Sequence, residues 1–233
     1  MARIPGPEGG PAELQIKLRR SARAKRISLR VSGLDGEVTL TLPLRVREAE
    51  GLAFARSRAD WIAGAIARVP QGQRPVIGGT LPVEGEFLTL LQGPARGAVR
   101  RGPEGIWVPG DPAHLGLRVA TYLKALARIR LNASVERYAA ALGRPYSSLT
   151  LRDTRSRWGS CTAAGGLMFS WRLVMAPPQV LDYVAAHEVA HLAEMNHSPR
   201  FWAVVERLMP GYEVHRRWLK AHGSPLHGWR LDD

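Results

Sequence analysis

The residues best able to do chemistry are His187-Glu188-Val189-Ala190-His191 and, six positions further on, His197. On a helix, side chains four apart share a face, so His187 and His191 can grip one tetrahedral cation. Glu188 lies about 100° round the same helix, within reach of a water on that cation. Zinc with three protein ligands keeps its fourth position for water and lowers that water's pKa toward about 7. Glu188 would then take the proton, direct attack on a carbonyl and hand the proton to the leaving amine. The spacing therefore predicts one Zn2+ per chain at a hydrolytic site. A structural zinc would close the fourth position, usually with a thiolate, and the single cysteine, Cys161, lies in a different segment.

The third ligand needs a corner in the chain. Pro177-Pro178 suit the first turn of a helix, which the pattern extends to about Met195. Asn196 tolerates the left-handed conformation that would reverse the chain and swing His197 back. Ser198-Pro199 read as the N-cap and first turn of a following helix, with Phe201, Trp202, Val205 and Leu208 as its buried face. Glu206 and Glu213 stay open as alternative third ligands, and Glu194 as a partner that orients His191. Tyr212, His215 and Arg157 are candidates to stabilise an oxyanion or hold substrate, although packing or surface roles fit Tyr212 and His215 more simply. The segment Arg155-Ser156-Arg157-Trp158-Gly159-Ser160-Cys161 reads as a strand whose exposed edge could take up an extended peptide. Trp158 is expected in the core and Gly159 at a bulge. Cys161 reads as a small buried residue rather than a nucleophile.

Other elements must position these groups. Leu14, Ile16 and Leu18 alternate with Gln15, Lys17 and Arg19, and Ile27, Leu29 and Val31 with Arg26, Ser28 and Arg30, the period of half-buried strands. Ser32 to Gly36 is a turn, and Val38, Leu40 and Leu42 mark a further strand. A helix is expected over 48–69, with Leu52, Phe54, Ala55, Trp61, Ile62 and Ile66 on its apolar face, until Pro70 breaks it. Short strands and Gly/Pro turns fill 76–112. A long amphipathic helix over about 113–142 ends at Gly143, with Pro145 just beyond. Strands follow over 148–152, 157–162 and 167–175, the last two joined by a hairpin turn at Gly165-Gly166. The chain thus divides into an aperiodic tail expected to be disordered (1–12), a β-rich N-terminal module (13–112) and a catalytic half (113–233). The fold class is α+β.

A chain of 233 residues can hold one large domain or two small ones. Lys and Arg outnumber Asp and Glu by 33 to 20, a net +13 that favours polyanionic partners. Arg19, Arg20, Arg23 and Lys25 could meet a nucleic-acid backbone, although no aromatic residue interleaves with them to stack bases. One cysteine excludes an intrachain disulfide and suits a reducing, cytoplasmic setting. The Gly- and Pro-rich start shows no signal-peptide pattern, and no run of apolar residues is long enough to cross a membrane, so no membrane partner is expected. Two rivals to peptide hydrolysis remain: a metal-dependent hydrolase of nucleotide phosphoanhydrides, and a basic nucleic-acid-binding module with an incidental metal. The chain has no Gly-rich phosphate loop to support the first.

From roughly Arg19 to His222 the chain resembles the YgjP-like metallopeptidase family, related to the SprT-like and WLM-type zincin peptidases. The resemblance rests on Arg157-Trp158-Gly159-Ser160-Cys161, on His187 to Leu192, and on Asn196-His197-Ser198-Pro199-Arg200-Phe201-Trp202, with support from residues 23 to 31. It implies a compact zincin-like catalytic domain, peptide or protein substrates, His187, His191 and His197 as zinc ligands, and Glu188 as the catalytic acid/base. Metzincins share the histidine spacing but carry glycine three residues after the second histidine, where this chain has Glu194.

Overall fold

A computed structural model describes residues 1–33, 36–68 and 72–231. The chain forms two compact units, Met1–Gly72 and Gln73–Asp233.

The first unit carries a four-stranded sheet. Strands β1 (Ala2–Pro5), β2 (Glu13–Ser21), β3 (Ser28–Val31) and β4 (Val38–Pro43) lie in the order β1-β2-β4-β3. β2 and β4 run parallel, and the outer pairs are antiparallel. The alternation read in the sequence places Leu14, Ile16, Val38, Leu40 and Leu42 in the core with Ile4. Ile4 belongs to β1, so the stretch expected to be a disordered tail supplies a paired strand. Helices α1 (Glu48–Arg56) and α2 (Ala59–Ala67) add Ala55 and Ile62 to this core. One continuous helix was expected here, but the chain breaks at Ser57-Arg58. The Ser57 hydroxyl donates to the Phe54 carbonyl at 2.8 Å, and the Arg58 amide to the Ala55 carbonyl at 3.1 Å, a tighter turn than an α-helix makes. Trp61, expected on the apolar face, is half exposed. Residues 69–71, with the breaking proline, and two residues of the Ser32–Gly36 turn lie outside the described set.

The second unit begins with β5 (Thr80–Val83), β6 (Glu86–Gln92), β7 (Arg100–Gly102) and β8 (Gly105–Val108), in the order β5-β6-β8-β7. Helix α3 (Leu115–Leu142) follows a short 3-10 turn. Its buried residues Leu115, Val119, Leu123, Ala127, Leu131 and Val135 form a single stripe at near four-residue spacing. As the sequence indicates, α3 stops where Gly143 turns left-handed, at φ 70°. Leu81, Val83, Leu90, Ile106 and Val108 share one core with this stripe. The second sheet therefore belongs with the histidine-bearing half, and the expected boundary at 112 falls inside a unit.

After α3 come β9 (Ser148–Arg152), β10 (Gly159–Cys161) and β11 (Gly166–Ser170), ordered β10-β11-β9. β10 and β11 are antiparallel around the Thr162–Gly166 turn, with Gly165 at φ 76°. The strand expected to reach 175 ends at Ser170, and Trp171–Met175 wind into a 3-10 turn. The reason is Arg172. Its buried guanidinium grips the Asp153 carboxylate at 2.6 and 3.0 Å and the Leu226 and Trp229 carbonyls at 3.1 and 2.9 Å. Helices α4 (Pro178–Ala190), α5 (Pro199–Leu208) and α6 (Glu213–Leu226) complete the unit. No helix among the described residues is long and apolar enough to cross a membrane.

Candidate metal centre

Helix α4 starts on Pro178, as the prolines suggest, but ends at Ala190 rather than near Met195. Leu192 and Ala193 donate to Val189 and Ala190, both at 3.0 Å, so the last turn tightens and the chain leaves the helix. The reversal toward His197 uses no left-handed Asn196: Glu84 is the one non-glycine residue with positive φ among the described residues. Asn196 acts through its side chain, whose Oδ1 accepts the Ser198 amide at 3.1 Å. Ser198 holds the N-cap position of α5 without a side-chain cap bond, and Pro199 takes the first turn.

These turns bring His187, His191 and His197 together. One ligand atom from each lies within 4.8 Å of the others, and the Nε2 atoms of His187 and His197 are 3.1 Å apart. A carbonyl only accepts, so the 3.0 Å contact between His191 Nδ1 and the Glu194 carbonyl places the proton on Nδ1. The lone pair of His191 is thereby left on Nε2. Glu194 does orient His191, through its backbone rather than its carboxylate. Burial, then the neighbouring His191 and His197, push His187 down to about 3, and burial also lowers His191. Both are neutral near pH 7, the form in which imidazole binds a metal. A convergent set of three imidazole donors suits a small divalent cation, zinc foremost.

Glu188 lies beside this cluster with only 5 % exposure. Burial raises its carboxyl to about 8 against the pull of the Arg157 cation. A divalent charge among the imidazoles would act with Arg157 and favour the carboxylate. The carboxyl packs directly on β10: a Cβ at Gly159 would sit 2.5 Å from Glu188 Oε1. Gly159 was expected at a bulge, yet it pairs in regular register with Phe169. Glycine is required there because the Glu188 carboxyl fills the space a side chain would need. Gly159, Ser160, Cys161, His187, Glu188, His191, Met195 and His197 line a cavity of about 250 Å³. Cys161 is half-buried, its thiol pushed up by burial and then by Glu188. Trp158 is partly buried against the core, as expected, and stacks on His227 at 4.2 Å.

The other sequence candidates lie away from the cavity lining. Glu206 accepts the Gly211 amide at 3.2 Å, and neither it nor Glu213 joins the histidine cluster. Tyr212 is buried in an aromatic stack, and His215 is half-buried on α6. Arg157 is exposed, but its charge reaches Glu188. In the first unit, Arg20 donates to the Leu44 and Val46 carbonyls at 3.2 and 3.0 Å, a structural use, whereas Arg19, Arg23 and Lys25 are exposed. Sequence reasoning missed Tyr183, whose ring meets His187 edge-on at 5.9 Å. Its position four residues before His187, on the same helix face, was the available signal.

The family model for the YgjP-like metallopeptidase domain matches residues 25–222. The chain belongs to the YgjP-like metallopeptidases. That match covers both units and makes the protein a metal-dependent peptidase by class, with peptide or protein substrates. Among solved structures, the crystal structure of the metallopeptidase zymogen of Pyrococcus abyssi abylysin is similar at 20 % identity and a TM-score of 0.36, over 40 % of this chain and 95 % of that one. No curated protein matches.

Proposed function

We propose that the protein is a zinc peptidase in which Nε2 of His187, His191 and His197 hold one zinc ion per chain and Glu188 is the general base. The observation that carries this reading is the meeting of three imidazole donors within 4.8 Å, in one cavity with a buried carboxyl. Bound there, zinc supplies Lewis acidity, acidifying water and polarising a carbonyl oxygen. Glu188 accepts the proton of the attacking water at its carboxylate and returns it to the leaving amine. Arg157 keeps that carboxyl closer to its ionised form. β10 is the edge of its sheet, with β11 on one side. An extended peptide pairing along the free edge would run past Glu188, because Gly159 already touches it. Tyr212 and His215 are left out of the machinery, since neither lines the cavity. Peptidase membership favours a peptide carbonyl over a phosphoanhydride as the electrophile. The lone cysteine supports a reducing, cytoplasmic setting.

Glu188→Gln should lower turnover of a casein or fluorogenic peptide substrate by about 10²–10⁴-fold with stoichiometric zinc retained. Full activity in that variant would remove Glu188 from the mechanism. Stoichiometric zinc surviving in His197→Ala with unchanged affinity would remove the third ligand.

A further inference from the structure

His187 and His191 take their direction from α4, but His197 is exposed and sits on a turn, so no helix aims it. Its ring lies nearly parallel to the Trp202 indole, 5.7 Å away at 28°, and edge-on to Phe201 at 4.8 Å. The same indole stacks on Tyr212 at 5.4 Å and 10°, and the Arg216 guanidinium stands 4.3 Å from its centroid. Tyr212 stacks in turn on Tyr183 at 5.9 Å and 12°. Tyr183 belongs to α4, one turn before His187, and touches that ring as well. The contacts therefore close a circuit: from α4 through Tyr212 at the start of α6 to Trp202 on α5, and on to the turn that carries His197. Parallel aromatic pairs fix the relative planes of their rings as well as burying area.

We propose that the Tyr183–Tyr212–Trp202 stack is a positioning device that aims the His197 imidazole at the point His187 and His191 share, with Trp202 as its contact to the ligand. This rests on the zinc centre proposed above and adds what sets its affinity. Residues that orient a metal ligand typically change metal affinity by about 10- to 100-fold when removed.

The test measures zinc affinity of the full chain by competition with a chromophoric chelator, alongside the Tm of the metal-free protein. Trp202→Leu should weaken zinc binding by about 10- to 100-fold. Trp202→Phe, which keeps a ring, should recover most of that loss. Tyr212→Leu should weaken binding less than Trp202→Leu does, and Tyr212→Phe should leave it unchanged, because the stack uses the ring and not the hydroxyl. Wild-type affinity in Trp202→Leu overturns the proposal, as does a loss that follows the metal-free Tm across the whole series. If Trp202→Leu does not fold, the comparison of Tyr212→Leu with Tyr212→Phe decides, and equal affinities overturn it. A wild-type chain that holds no zinc overturns the metal centre itself, a result distinct from a wild type that binds and a Trp202 variant that binds equally well.

Discussion

The two arms of the histidine cluster are built by different means. His187 and His191 stand one turn apart on α4, and their relation follows from 3.6 residues per turn. His197 arrives on the connection 191–198 between α4 and α5, whose path depends on the early end of α4, on the Asn196 side chain and on the aromatic shelf of α5. A helix-borne pair tolerates many sequences around it, because backbone hydrogen bonds hold its geometry. The turn-borne ligand is only as well placed as the side chains that brace it.

Three perturbations sharpen this contrast. Gly159→Ala acts on the helix-borne arm, pressing a methyl group onto Glu188 Oε1. A displacement on the order of 1 Å should lower kcat by about 100-fold while zinc content stays stoichiometric. Normal kcat would mean that β10 yields and does not set the position of the carboxyl. Asn196→Ala acts on the other arm by removing the acceptor for the Ser198 amide. One such bond is worth about 1 kcal/mol, so zinc affinity should drop roughly fivefold with the helical content of α4 unchanged. An unaltered dissociation constant would show that the shelf alone suffices.

His227 lies outside both arms and serves as the control. Burial, then the Arg172 charge, pushes its imidazole down to about 4, with Asp153 opposing and Arg155 adding to the depression. The unfolded chain therefore binds this proton more readily than the folded one. The contribution of His227 to stability is complete above about pH 6.5 and fades as pH falls toward 4. His227→Phe, which can keep the ring stacked on Trp158, should flatten that part of the acid unfolding curve and leave zinc affinity at neutral pH untouched. An unchanged curve would place its titration elsewhere.

What was legible in the residues was local. Alternation located β2 and β4, four-residue spacing located α3, and Gly143 marked its end. The break at Ser57-Arg58 and the early close of α4 were hidden because a switch to bonds three residues back leaves the apolar pattern unchanged, and the 3-10 turn at Trp171–Met175 because it depends on partners that periodicity does not carry. Arg172 looks like an interruption in an apolar run until Asp153 and two distant carbonyls meet it. The boundary was misplaced for a similar reason: β5 to β8 read as a continuation of a β-rich module, yet their apolar faces pack with α3.

By itself the amino-acid order determined the donor types, the pairing of His187 with His191 and the carboxyl between them, because helical periodicity turns a spacing into a distance. Only the tertiary structure decided that His197, rather than Glu206 or Glu213, completes the cluster. It alone showed that Gly159 is small because Glu188 occupies its side-chain space. The first depends on how the connection from α4 to α5 folds back and the second on a contact between segments distant along the chain, and periodicity encodes neither.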